Sequence, residues 1–134
     1  MKAYISISYS KRKSMDAETN VIKETLLSFK IEPFVFVDEF KFYKEHEKKM
    51  MQQALISIDE CDMLIAEVSD KAIGIGIEAG YAKAKGKTLI YIRNKNAEHS
   101  TTVSGISDFL IIYNNVVELK HLLSEILTKI STSH

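Results

Sequence analysis

The sequence predicts an α/β fold: a flavodoxin-like three-layer sandwich with a five-stranded parallel sheet in the order 2-1-3-4-5. Two observations carry this. Short β-rich runs alternate with longer stretches of helical spacing along the whole chain, which is the mark of a parallel sheet covered by helices. One of those runs, Met63 to Val68 (MLIAEV), is largely apolar, as a central strand buried on both faces must be. Right-handed crossovers then prune most other strand orders. Residues 1–134 are expected to form one domain, large enough to bury a core without metal or disulfide staples.

The first strand is read over Ala3 to Ser8 (AYISIS). A polar loop, Tyr9 to Met15, leads to a helix with Ala17, Val21, Ile22, Leu26 and Phe29 on one face. Pro33, the lone proline, opens the second strand, Phe34 to Val37 (FVFV). A charged segment from Asp38 to Lys49 precedes a helix whose apolar side is Met50, Met51, Ala54, Leu55 and Ile58. The central strand follows, then a third helix expected to start near Gly76, the strand Thr88 to Ile92, a polar loop from Asn94 to Ser104 and a last strand over Phe109 to Tyr113. Leu119, Leu122, Leu123, Ile126, Leu127 and Ile130 form the inward stripe of the closing helix.

Lysine plus arginine number 18 and aspartate plus glutamate number 18, so no global field draws the protein to a nucleic-acid polymer or an anionic membrane. The N-terminus alternates apolar with polar residues, a strand pattern unlike a signal peptide, and no apolar run approaches the roughly 18 residues of a membrane span. Cys61 is the only cysteine, and with His46, His99, His121 and His134 it offers no zinc-type spacing. These features predict a cytoplasmic protein with no metal and a small-molecule ligand.

In doubly wound sheets ligands sit beyond the carboxyl ends of the strands, where strand order reverses. That rule gathers Ser8 to Lys13, Val37 to Phe40, Ser69 to Glu78 and the loop around His99 to Ser104 about one crevice. Gly74 and Gly76 are expected to turn tightly there and to let a ligand approach a helix start. Their spacing, Gly-x-Gly-x-x-x-Gly after the third strand, is not the dinucleotide fingerprint, and no acid closes a following strand to hold a ribose. No dinucleotide cofactor is therefore expected. Glu78 is placed in the first helical turn, where the dipole favours the ionised form. Acids serve helix stability at such positions; a permanently charged carboxylate would also serve as a nucleophile. Asp70 suits either a turn or a contact to a sugar hydroxyl.

The stretch CDMLIAEVSDKAIGIGIEAGYAKAKGKTLIYI, residues 61 to 92, resembles the nucleoside 2-deoxyribosyltransferase family and its relatives, the 2'-deoxynucleoside 5'-phosphate N-hydrolases. Gly74, Gly76, Glu78, Gly80, Ala82, Gly86 and Lys87 stand in the family pattern. The resemblance implies cleavage of the N-glycosidic bond of a nucleoside or nucleoside 5'-monophosphate, by hydrolysis or by transfer of the sugar to another base, with Glu78 as nucleophile. It places Tyr4, Ser6 and Ser8 where the family binds sugar and phosphate, and Arg12 near its phosphate-contacting arginine. Ser100, followed by Gly105, resembles a serine that reaches the ligand of a neighbouring subunit, which implies a homodimer.

Two positions depart from the family. Its assisting aspartate lies eight residues before the one that opens the central strand, and that count from Asp62 falls on Ala54. Asp38, Glu39 and Asp59 are candidate replacements. A phosphate-binding serine of the family is Ala72 here, and Lys71 is a candidate substitute. Residues 5 to 14, ISISYSKRKS, are also similar to the first-strand motif of Toll/interleukin-receptor-like domains, whose active members cleave NAD. A non-catalytic nucleotide sensor that has lost the assisting acid is the third reading.

Overall fold

A computed structural model describes residues 1–41 and 44–132. Strands β1 (Lys2–Ser6), β2 (Glu32–Val35), β3 (Met63–Glu67), β4 (Thr88–Asn94) and β5 (Phe109–Tyr113) form one parallel sheet in the order β2-β1-β3-β4-β5. The helices are α1 (Asp16–Ser28), α2 (Phe36–Glu39), α3 (Glu47–Asp59), α4 (Ile73–Ala84), α5 (Thr101–Ile106) and α6 (Val116–Thr132). The predicted order of the sheet is the order observed.

Each face of the sheet has its own core. Ala3 and Ile5 of β1, Met63 and Ile65 of β3, Ile90 and Ile92 of β4 pack against Ile22 and Leu26 of α1 and the Leu119, Leu123, Leu127 stripe of α6. On the opposite face Tyr4, Leu64, Ala66, Leu89 and Tyr91 meet Ala54 and Ile58 of α3 and Ile75, Ala79 and Ala82 of α4. β3 is buried along its whole length, as its composition predicts. No helix among the described residues is long and apolar enough to cross a membrane.

The second strand is shifted from its predicted place. It ends at Val35, and Phe36 to Glu39 make a helical turn closed by the Phe40 N–H on the Phe36 carbonyl at 3.1 Å. Packing outweighs local β preference here: the turn sets Phe36 6.1 Å from the Tyr4 ring and 5.1 Å from Phe40. Pro33 lies within β2, where an edge strand tolerates its missing N–H. In α1 the stripe is rotated, leaving Ala17 exposed and burying Thr19 and Thr25. Their hydroxyls donate to the Met15 and Val21 carbonyls at 2.7 and 2.6 Å, which satisfies them without a partner across the core. The loop predicted from Asn94 to Ser104 ends in the short α5. Phe42 and Tyr43 of the charged segment, and His134, lie outside the described residues.

Candidate active site

The site is built where β1 and β3 diverge. Tyr4 and Ser6 project from β1 toward α4, two residues apart and so on the same face of the sheet. Helix α4 starts at Ile73, three residues before the predicted start, so Glu78 stands in its second turn. Ile75, Ala79 and Ala82 form the buried stripe of α4, and Glu78 falls in the same stripe, three residues after Ile75 and four before Ala82. The helix therefore delivers a carboxylate where its periodicity calls for an apolar side chain. Gly74 and Gly76 lie within the helix and neither has positive φ, so they do not form the tight turn expected. A Cβ on either would meet no other part of the chain within 4 Å.

Both oxygens of Glu78 are held. The Tyr4 phenol donates to Oε2, and the Ser6 hydroxyl donates to Oε1 at 2.8 Å. Burial pushes the Glu78 carboxyl above its ordinary value, against the pull of the Tyr4 and Ser6 hydrogen bonds, which favour the ionised form. The direction is opposite to that expected from a first-turn position, because the half-buried side chain is largely desolvated and sits beyond the first turn. Burial, reinforced by the Glu78 charge, pushes the Tyr4 phenol far up, so Tyr4 stays a donor.

Glu78 opens onto a cavity of about 330 Å³, within the range that holds small ligands. Phe36, Val37, Phe40, Met50 and Met51 make an apolar wall; Ser8, Ala54, Ala72 and Gly74 complete much of the rest. Met50 and Met51, read from the sequence as part of the apolar side of a helix, line this wall. Among the described lining residues Glu78 is the only charged one.

Ala54 faces the same cavity and supplies no carboxylate. None of the three candidate replacements lines it. Asp38 accepts both Nε and Nη2 of Arg12, at 2.8 and 2.7 Å. Asp59 ends α3, beside the amino end of β3, and accepts the Tyr81 hydroxyl at 2.9 Å. Glu39 is exposed on α2. The acid brought to the crevice is Asp70, which accepts the Ser8 hydroxyl at 2.6 Å.

Arg12 is engaged by two aspartates, since its Nη1 also reaches Asp16 at 2.7 Å. Ser100 is buried beside a neighbouring cavity of about 390 Å³ lined also by Lys71, Gly76, Thr101 and Thr102; the two cavities share Ala72 and Ile75. Lys71 pairs with Glu98 at 3.2 Å. His99 bonds the Tyr91 hydroxyl through Nδ1 at 3.0 Å and lines neither cavity. Burial pushes the Cys61 thiol up to about 11, in keeping with a small apolar residue. Among the described residues no three His, Cys, Asp or Glu side chains gather as metal ligands do.

The family model for nucleoside 2-deoxyribosyltransferase matches residues 4–124. No curated protein matches the sequence significantly. Solved structures with the same fold include the CMP N-glycosidase of Clostridium botulinum, 23% identical with a TM-score of 0.66, over 93% of this chain and 99% of that one. The 2-deoxyribosyltransferase of Bacillus psychrosaccharolyticus is 13% identical with a TM-score of 0.66, over 95% and 96% of the two chains. A conserved protein from Enterococcus faecalis is 12% identical with a TM-score of 0.70, over 93% and 98%.

Proposed function

The chain belongs to the nucleoside 2-deoxyribosyltransferase family, enzymes of N-glycosidic bond cleavage or transfer, and on that premise we propose that Glu78 is its nucleophile toward a nucleoside or nucleoside 5'-monophosphate. The observation that supports this best is a half-buried carboxylate, held on both oxygens, opening onto a cavity of ligand size.

In this reading a Glu78 oxygen attacks the anomeric carbon as the bond to the base breaks, through an oxocarbenium-like transition state. The base leaves with the electron pair of the glycosidic bond and takes up a proton. The sugar is left as an ester on Glu78. Water or a second base then attacks the same carbon and releases the carboxylate, which gives hydrolysis or transfer. Tyr4 and Ser6 act as positioning residues: they fix the carboxylate and offset part of the cost of its burial. The apolar wall of Phe36, Phe40, Met50 and Met51 suits the faces of a planar base.

Bare Gly74 and Gly76 leave backbone open toward the two cavities, which suits close ligand approach. One sheet draws strands from residues 2 to 113, which supports a single domain over the chain. A homodimer, with Ser100 serving the partner's site, is part of the same proposal; Ile73, 85% exposed, and Ile77, 50% exposed, give α4 an apolar face for it.

The test is to incubate the protein with ribo- and deoxyribonucleosides, their 5'-monophosphates and NAD, and to read free base by chromatography. Base released from a nucleoside or monophosphate, and lost in Glu78→Ala, supports the proposal. Release from NAD alone would point to the Toll/interleukin-receptor-like reading, and nucleotide binding without release to a sensor.

A further inference from the structure

We infer that this site selects a nucleoside with a free sugar hydroxyl over the corresponding 5'-monophosphate, and that the Ser8–Asp70 pair makes the selection. The inference rests on the proposed reading of the Glu78 cavity and narrows its substrate class.

A hydroxyl has one proton to give. Ser8, 3% exposed and lining the cavity, gives its proton to Asp70 at 2.6 Å. Ser8 and Ser10 are 3.1 Å apart, so in that contact Ser10 is the donor. What Ser8 has left to offer a ligand is acceptor capacity. A sugar hydroxyl can donate to it; an ionised phosphate, which only accepts, cannot.

Charge points the same way. No described residue lining the cavity is Lys, Arg or His. The amino end of α4 offers about half a positive charge. Against it stand the whole negative charge of Glu78 in its nucleophilic form and that of Asp70 behind Ser8. The nearest candidate cation by sequence, Arg12, is bound to both Asp38 and Asp16, a group whose formal sum is negative. Lys71 is paired with Glu98 and lines the neighbouring cavity. Lys11 and Lys13 are exposed and line neither cavity. Ala72, which caps the amino end of α4, brings no hydroxyl donor. Of the lining hydroxyls only the Tyr9 phenol, 78% exposed, has a proton to offer, so a phosphate would surrender its water for a net negative surface with one solvated donor, while a hydroxyl would find a matched partner in Ser8.

The experiment compares kcat/KM for base release from deoxynucleosides and their 5'-monophosphates in the wild type, Asp70→Asn and Ser8→Ala. Expected is a preference for the nucleoside of about tenfold or more in the wild type, the scale of one hydrogen bond in discrimination. Asp70→Asn removes a charge and lets Ser8 turn its proton to the ligand, so the preference should shrink at least several-fold. Ser8→Ala should lower kcat/KM for the nucleoside more than for the monophosphate. Equal or better turnover of the monophosphate overturns the inference while leaving the proposed chemistry intact. A preference unmoved in both variants also overturns it, because selection then lies elsewhere. If no substrate yields base, the proposed chemistry fails separately, and calorimetric titration of the wild type with deoxyadenosine and its monophosphate decides. Tighter nucleoside binding supports the inference; tighter monophosphate binding, or none of either, overturns it.

Discussion

Two glutamates are packed against opposite faces of the sheet, Glu67 buried and Glu78 half-buried, and their hydrogen-bond partners are nearly matched. Glu78 receives the Tyr4 phenol and the Ser6 hydroxyl. Glu67, at the end of β3, receives the Tyr113 phenol at 2.8 Å and the Ser69 N–H at 2.6 Å. Burial pushes both carboxyls above their ordinary values, and in both the hydrogen bonds pull the other way. What differs is access. Glu67 is 1% exposed on the α1 and α6 side, where it braces the turn after β3; Ser69 in turn accepts the Asn94 N–H at 2.8 Å. Glu78 opens onto a cavity. A perturbed, well-bonded carboxylate is thus no sign of catalysis by itself, and access to a ligand separates the two.

The largest effect that sharpens this contrast is on chemistry. Glu78→Ala is expected to lower base release by about 10³-fold or more, as loss of a nucleophile does. Glu67→Gln should keep release within about tenfold, measured on the same substrate. Comparable losses in the two variants would erase the distinction.

Stability should divide them the other way. Glu67→Ala orphans two donors and leaves a void in a closed core, which costs about 2–4 kcal/mol in urea unfolding. Glu78→Ala opens onto a cavity that water can fill, so Tyr4 and Ser6 keep partners and the loss should stay under about 1 kcal/mol.

The tyrosines give a finer test. Tyr4→Phe removes a donor that favours ionised Glu78, so the acid limb of the pH–rate profile should move to higher pH. Tyr113→Phe should leave that limb in place and cost about 1 kcal/mol of stability.

The smallest effect is on the pH dependence of folding. Both carboxyls are raised in the folded state, so the stability each contributes is full below the ordinary carboxylate value of about 4.3 and is lost as pH rises through its raised folded value. Unfolding free energy of the wild type should fall across that window. Glu78→Gln and Glu67→Gln should each flatten the fall, read by denaturant titration at stepped pH.

Much of this was legible in the chain. The strand order follows from alternation, from the apolar MLIAEV run and from handedness, none of which needs a partner in space. Glu78 was also legible from its place in the crevice and the family pattern, and periodicity offers a further signal: it interrupts the Ile75, Ala79, Ala82 stripe, and an acid in an inward stripe demands hydrogen-bond donors. The start of α4 was misplaced because glycines read as turn formers when their helical conformation is set by the strands on either side. The second strand was displaced because Phe36 gains more by packing with Tyr4 and Phe40 than by extending β2.

The sequence by itself determined the architecture, the crevice that the reversal of strand order creates, and the acid at its edge, because periodicity and handedness act locally along the chain. Tertiary structure alone decided the partners: Tyr4 on Glu78, Asp70 on Ser8, Asp38 on Arg12. These pairs join residues 26 to 74 positions apart. Whether a hydroxyl donates or accepts, and whether an arginine is spent or free, depends on which carboxylate the folded chain sets against it.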